Sequence, residues 1–202
     1  MLLVFWWQTW IFIIHRRHML YVVGVVRGVT CLDNIMYVVC AESSTIRLYN
    51  TDTFSPLDVV INVVGMRDPC DIVVCRHDRQ LYVAEWHCIW RVSVDDKSYV
   101  KWLTTQSMPD IFIVQSLSLT SRRLLVTSNP PILHPCDTTD TQRLCVVSFP
   151  GYVRSVYHGV ETTHGTFVVA YVGTAQDKEQ FAVSELFRLC HVLNTVSPIS
   201  YY

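Results

Sequence analysis

Short apolar runs punctuated by polar turns dominate this chain. Four stretches share one plan, a polar turn followed by an apolar strand: Leu32-Asp33-Asn34-Ile35-Met36-Tyr37-Val38-Val39, Arg76-His77-Asp78-Arg79-Gln80-Leu81-Tyr82-Val83-Ala84, Thr120-Ser121-Arg122-Arg123-Leu124-Leu125-Val126 and Thr162-Thr163-His164-Gly165-Thr166-Phe167-Val168-Val169. Aligning Tyr37, Tyr82, Leu125 and Phe167 gives steps of 45, 43 and 42 residues. A second register agrees, with Val29, Ile72, Leu117 and Val160 preceding those turns at steps of 43, 45 and 43. Each repeat therefore predicts a first strand (28–32, 71–75, 116–120, 159–161), a turn and a second strand. In the clearer repeats a third strand follows at 45–49 and 88–93, where apolar and polar residues alternate with the two-residue period of a strand. The run 57–63 predicts a fourth. Helical repeats of this length need long 3.6-period stretches, and only 176–187 reads as a short helix; elsewhere β-branched and aromatic residues prevail.

Four short strands per unit of about 40–50 residues is the pattern of a propeller blade. The fold class expected is all-β, a β-propeller of four-stranded blades covering residues 24–188. One such sheet cannot cover both of its apolar faces, so neighbouring blades must do it. Two segments flank the repeats. Residues 1–23 open with an uncharged run, Met1 to Ile14, ahead of His15-Arg16-Arg17-His18. That run is short for a bilayer span, and a secretory signal would carry its positive charge before the apolar stretch. The readings left for it are a strand of a further blade, a misplaced start, or a membrane-surface anchor through residues 1–14. Residues 189–202 read as a C-terminal tail.

The residues that carry a family resemblance lie in the second repeat: Asp68-Pro69-Cys70-Asp71-Ile72-Val73-Val74, then Gln80-Leu81-Tyr82-Val83-Ala84-Glu85-Trp86-His87-Cys88-Ile89-Trp90-Arg91-Val92. The first repeat follows with Met36-Tyr37-Val38-Val39 and Thr45-Ile46-Arg47-Leu48-Tyr49. In these residues the chain resembles NHL-type β-propellers, above all the divergent invertebrate NHL-repeat proteins. The resemblance implies a propeller that binds other macromolecules. Such propellers often follow RING and B-box zinc modules in larger chains, and some bind structured RNA. The chain departs from the pattern at the acidic residue of the second strand, which is Glu85 in repeat two but Cys40, Ser128 and Ala170 at the equivalent positions. It also holds about four repeats where the family usually has about six blades. A closed four-blade ring, a ring completed by another chain through self-association, and a piece of an incomplete six-bladed ring each fit that count.

Composition narrows the function. Sixteen basic and 17 acidic side chains give a formal net charge of −1, so no overall field draws the chain onto nucleic acid or an anionic membrane. An RNA-binding reading would need Arg27, Arg67, Arg76 and Arg154 brought to one face. The eight cysteines contain no CxxC and several lie inside apolar runs, which suits buried thiols. The chain has no Asn-x-Ser/Thr sequon, which points towards a cytoplasmic protein.

Ligands of propellers bind where loops gather at one end of the channel, and the residue before each first strand is placed to line it. Those positions hold Arg27, Asp71, Gln115 and His158, a polar mouth suited to a peptide or a small polar ligand; the alternative is that they satisfy local backbone groups. Trp86, Trp90 and Trp102 form a candidate interaction surface, with packing between blades as the alternative. A metal-dependent ester or lactone hydrolase of the six-bladed propeller type would need several carboxylate or amide ligands, and the aligned positions supply only Asp71. His87-Cys88, His134-Pro135-Cys136 and Cys190-His191 lack the spacing of a structural zinc site. No nucleophile elbow or phosphate-binding glycine loop is present. The expectation is therefore a non-enzymatic binding module for a protein segment, with no catalytic residues, metal or cofactor. Asn129 to Thr141, rich in proline and polar residues, is expected to project as a loop from the third repeat, and both recognition and tolerated padding fit it.

Overall fold

A computed structural model of the chain describes residues 3–7, 10–15, 18–19, 22, 24–104, 106–107, 113–120, 123–139, 146–149, 153–161, 167–175 and 178–183. All regular structure among them is β-strand. The chain divides into two compact units, Met1–Val114 and Gln115–Tyr202.

The first unit opens with β1 (Leu3–Trp7), β2 (Trp10–His15) and β3 (His18–Met19), an antiparallel sheet in chain order. Next come β4 (Val26–Leu32), β5 (Ile35–Cys40), β6 (Thr45–Asn50) and β7 (Pro56–Asn62), then β8 (Pro69–Cys75), β9 (Gln80–Glu85), β10 (Cys88–Ser93) and β11 (Tyr99–Thr104). Each group of four makes its own antiparallel sheet with strands in chain order. Val29 pairs with Val38 in one sheet and Ile72 with Val83 in the next.

The continuous apolar runs of β5 and β9 follow from burial on both sheet faces. Alternation along β5 sends Tyr37 and Val39 towards the second sheet, where they share a core with Leu81, Val83, Trp90 and Val92. Met36, Val38 and Cys40 point the other way, into a cluster with Val22, Val26 and Phe54. The first strands β4 and β8 lie side by side, and Gly28 makes their close approach: a Cβ there would sit 2.7 Å from the Ile72 amide nitrogen and 3.0 Å from Asp71 Cα. At the other end of these strands Arg79 bridges the turns, donating to Asp33 Oδ2 (3.0 Å) and Asp95 Oδ1 (2.8 Å).

The second unit has β12 (Ile113–Thr120, entering from the first unit), β13 (Arg123–Asn129), β14 (Ile132–Asp137) and β15 (Val147–Ser148) in one four-stranded sheet. β16 (Val153–Glu161), β17 (Phe167–Ala175) and β18 (Lys178–Val183) form another sheet. Leu125, Leu133, Val147 and Phe167 make one apolar cluster of the unit, and Val153, Val156, Val169 and Tyr171 make another. Polar pairs join β12 to β16: the Ser118 hydroxyl donates to the Gly159 carbonyl, and Thr120 Oγ1 donates to Glu161 Oε2 at 2.7 Å. Arg123 closes that set with an ion pair to Glu161 at 3.2 Å.

Two expectations are corrected here. The stretch from Asn129 does not project as a loop through its length: after the turn at Pro130-Pro131 it becomes β14, pairing with β13, with Leu133, His134, Pro135 and Cys136 buried. Its prolines mark the turn and one position of the strand, and burial of the rest outweighs its loop-like composition. The short helix expected over 176–187 is also absent from its described part, since 178–183 is β18, hydrogen-bonded along β17 with Ala170 opposite Val183. Pairing to an open strand edge overrides the helix propensity of that segment. The tail 189–202 lies outside the described residues. No helix of the described residues is long and apolar enough to cross a membrane.

Candidate binding site

In the first unit a cleft of about 900 Å³ opens at the end of the second sheet where β9 turns into β10. Three segments line it. The connection from β7 to β8 supplies Gly65, Arg67 and Asp68; the two-residue turn after β9 supplies Trp86 and His87, flanked by Glu85 and Cys88; β11 and the residues after it supply Lys101, Thr104 and Gln106. Because strands in this sheet alternate in direction, these segments share one end of it with the starts of β4 and β8, where Arg27 and Asp71 stand.

Glu85 organises the cleft wall. Its Oε1 accepts the backbone N–H of Arg67 (2.8 Å) and of Asp68 (3.3 Å), and its Oε2 accepts the Trp90 indole N–H (2.9 Å) and the Cys88 thiol (3.3 Å). Burial alone would raise its pKa, but the four donors outweigh that and hold it below the ordinary 4.5. The Cys88 thiol is pushed up to about 12, first by burial and then by the Glu85 carboxylate. Asp68 joins the two sheets at this end by accepting the Glu42 amide at 3.2 Å. Lys101 Nζ sits 5.0 Å over the Trp90 ring. Tyr99 meets the edge of the same ring at 6.1 Å between centroids.

The three tryptophans separate by role. Trp86 is 46% exposed at the tip of its turn, whereas Trp90 (4%) and Trp102 (7%) are interior, Trp102 edge-on to Tyr82 at 5.0 Å. A two-residue turn explains the difference, since neither of its side chains can fold back onto a sheet face.

The residues expected to open or precede the first strands lie inside them, because each strand starts earlier than its sequence pattern: Arg27 in β4, Asp71 in β8, Gln115 in β12 and His158 in β16. In the first unit Arg27 is exposed and Asp71 half-buried, on adjacent strands. Asp71 Oδ1 accepts the amide of Ile72 at 2.8 Å, so one of its oxygens serves its own backbone. In the second unit His158 is exposed with Nδ1 3.1 Å from Ser116 Oγ, which also contacts Thr127 Oγ1 at 2.9 Å. Gln115 Oε1 is buried with no hydrogen-bond partner among the described residues. Of the arginines considered for RNA, Arg76 follows β8 at the opposite end of the sheet from Arg67.

Protein-family models and curated proteins give no match to this chain. Solved structures do. The chain is similar to the computationally designed Ika4 protein, at 11% identity over 79% of this chain and 91% of that one, with a TM-score of 0.55. It is also similar to part of the extracellular domain of a hybrid two component system from B. thetaiotaomicron, at 11% identity and a TM-score of 0.59. That match covers 90% of this chain and 28% of the other. At such identity the likeness is one of fold, and function has to be argued from the site.

Among the described residues no three His, Cys, Asp or Glu side chains cluster as metal ligands would. Cys31, Cys40, Cys70, Cys75, Cys88 and Cys136 are reduced, in no disulfide. Cys70, like Cys88, is raised to about 12, by burial and then by Asp71. With almost no thiolate at neutral pH, both are expected to resist iodoacetamide in the native protein and to react once it is unfolded in urea. Peptide mapping by mass spectrometry checks this; rapid native labelling of Cys88 would show the cleft wall to be open, and of Cys70 that its thiol is not buried.

Sequence reasoning reaches Glu85, Trp86 and Arg67 singly. Asp68 is marked only as the first residue of the second-repeat resemblance, and Lys101, Thr104 and Gln106 carry no signal of their own, because only the return of β11 beside β10 brings them to the same place.

Proposed function

We propose that this chain is a non-enzymatic interaction module of β-propeller blades that takes a segment of a partner protein into the loop end of its sheets. What supports the blade reading is the chain-order, four-stranded antiparallel sheets and the side-by-side first strands of neighbouring sheets. The observation that carries the binding reading is Trp86, a large exposed aromatic at the rim of a 900 Å³ cleft whose walls are fixed by strand pairing and by the four hydrogen bonds of Glu85. An aromatic anchor on a rigid frame is what recognition surfaces use, because little side-chain entropy is lost on binding. Arg27 and Asp71 in the first unit, and separately Gln115 and His158 in the second, are further proposed contacts.

Selection of peptides from a random phage-displayed library on the purified full chain tests this. Selected peptides are expected to bind Trp86→Ala at least about tenfold more weakly, with an unchanged melting curve. Binding untouched by Trp86→Ala but lost in Arg27→Ala would move the site to the first strands of the first unit, and loss in His158→Ala would move it to the second unit; failure to select any peptide would reject the module reading.

A further inference from the structure

We propose that the cleft selects an acidic segment, one that places a carboxylate beside an apolar side chain; this rests on the reading of the chain as a segment-binding module. The hydrogen-bonding capacity of the cleft is lopsided. Its formal charges cancel, Arg67 and Lys101 against Asp68 and Glu85, but its carboxylates and cations are not equally available. Both oxygens of Glu85 are occupied by donors from the protein itself, and Asp68 Oδ1 is occupied by the Glu42 amide. Of the four oxygens of these carboxylates only Asp68 Oδ2 is left without a donor among the described residues, so at any of the others a partner's ammonium or guanidinium would have to displace bonds that hold the wall together. The cations are committed differently. The Arg67 side chain has no acceptor among the described residues, although its backbone N–H is tied to Glu85, and Lys101 touches only the face of Trp90, leaving its N–H donors unspent. An incoming carboxylate therefore meets ready donors, with the half-exposed Trp86 indole alongside to pack an aliphatic or aromatic neighbour. Two such cations beside two carboxylates are too few for a run of phosphates, which favours an acidic peptide over RNA.

The test uses the full chain and four fluorescein-labelled probes in anisotropy titrations: a peptide of Glu and Ser with a central Leu, its Gln and Lys counterparts, and a single-stranded RNA oligonucleotide. The expected order is the Glu peptide first, the Gln peptide weaker by roughly tenfold and the Lys peptide weakest, with the preference shrinking as salt is raised. Arg67→Gln with Lys101→Gln should erase the preference while circular dichroism stays that of the parent. Equal binding of the Glu and Gln peptides, still abolished by Trp86→Ala, would overturn acidic selection and leave the segment-binding reading standing. Absence of binding by every peptide would remove both. Tighter binding of the RNA, competed by the same substitutions, would overturn the proposal in favour of nucleic acid.

Discussion

Gly28→Ala is expected to lower the stability of the first unit by about 2–3 kcal/mol, and Gly28→Val by more. The cost does not come from backbone conformation. It comes from space, because the new Cβ would lie 2.7 Å from the Ile72 nitrogen and 3.0 Å from Asp71 Cα and from Ile72 Cγ2. Two of those three neighbours are backbone, and neither can rotate away. Relief requires β4 and β8 to separate, which opens the core shared by Tyr37, Val39, Leu81 and Val83. Gly159 in the second unit is the control: a Cβ there would meet the ends of Leu133 and Val169 at 3.3 Å, and side-chain methyls can shift by a few tenths of an ångström. Urea unfolding of each variant should rank Gly28→Ala well below Gly159→Ala. The reverse order would mean that the first strands of the two sheets do not touch as described.

Glu85→Ala is expected to cost about 2–3 kcal/mol and to loosen the cleft as a unit. It leaves the Trp90 indole N–H, on a residue that is nearly fully buried, without its acceptor. The amides of Arg67 and Asp68 lie nearer the surface and can turn to water, which keeps the loss below the sum of four bonds. Trp90 fluorescence should shift on substitution. The pH dependence follows from the depressed pKa. Above the ordinary value of 4.5 the carboxylate is ionised in both the folded and the unfolded chain, and its contribution is fully present. Below 4.5 the unfolded chain takes up the proton first, so the contribution shrinks and is lost as pH falls through the folded value. The stability gap between the parent and Glu85→Gln should therefore be flat from neutral pH to 4.5 and close in acid. A gap that widens in acid would mean that Glu85 is not held as an anion.

Strand positions and the four-strand grouping are legible in the amino-acid sequence because their signals are local. The alternation and turn chemistry around Val29–Val38 and Ile72–Val83 are properties of a few neighbouring residues. For β10 the alternating pattern marks Cys88–Ser93 to the residue. The departures also have local causes. Pro130, Pro131 and Pro135 give β14 and its turn the composition of a loop, and Lys178 to Val183 has the composition of a helix; in each case a neighbouring strand edge decides the outcome.

What the amino-acid sequence by itself determined, then, is an all-β chain of short antiparallel strands, with Glu85 and Trp86 marked out within the best repeat. What only the tertiary structure decided is which of the marked residues can meet a partner. Trp86 faces outward while Trp90 and Trp102 are interior, and the Arg67-Asp68 pair and Lys101, far apart along the chain, line one cleft around Glu85. The physical reason is that strand identity is set by period and turn residues within reach of one another, whereas a cleft is set by the packing of loops from strands that run back and forth across a sheet.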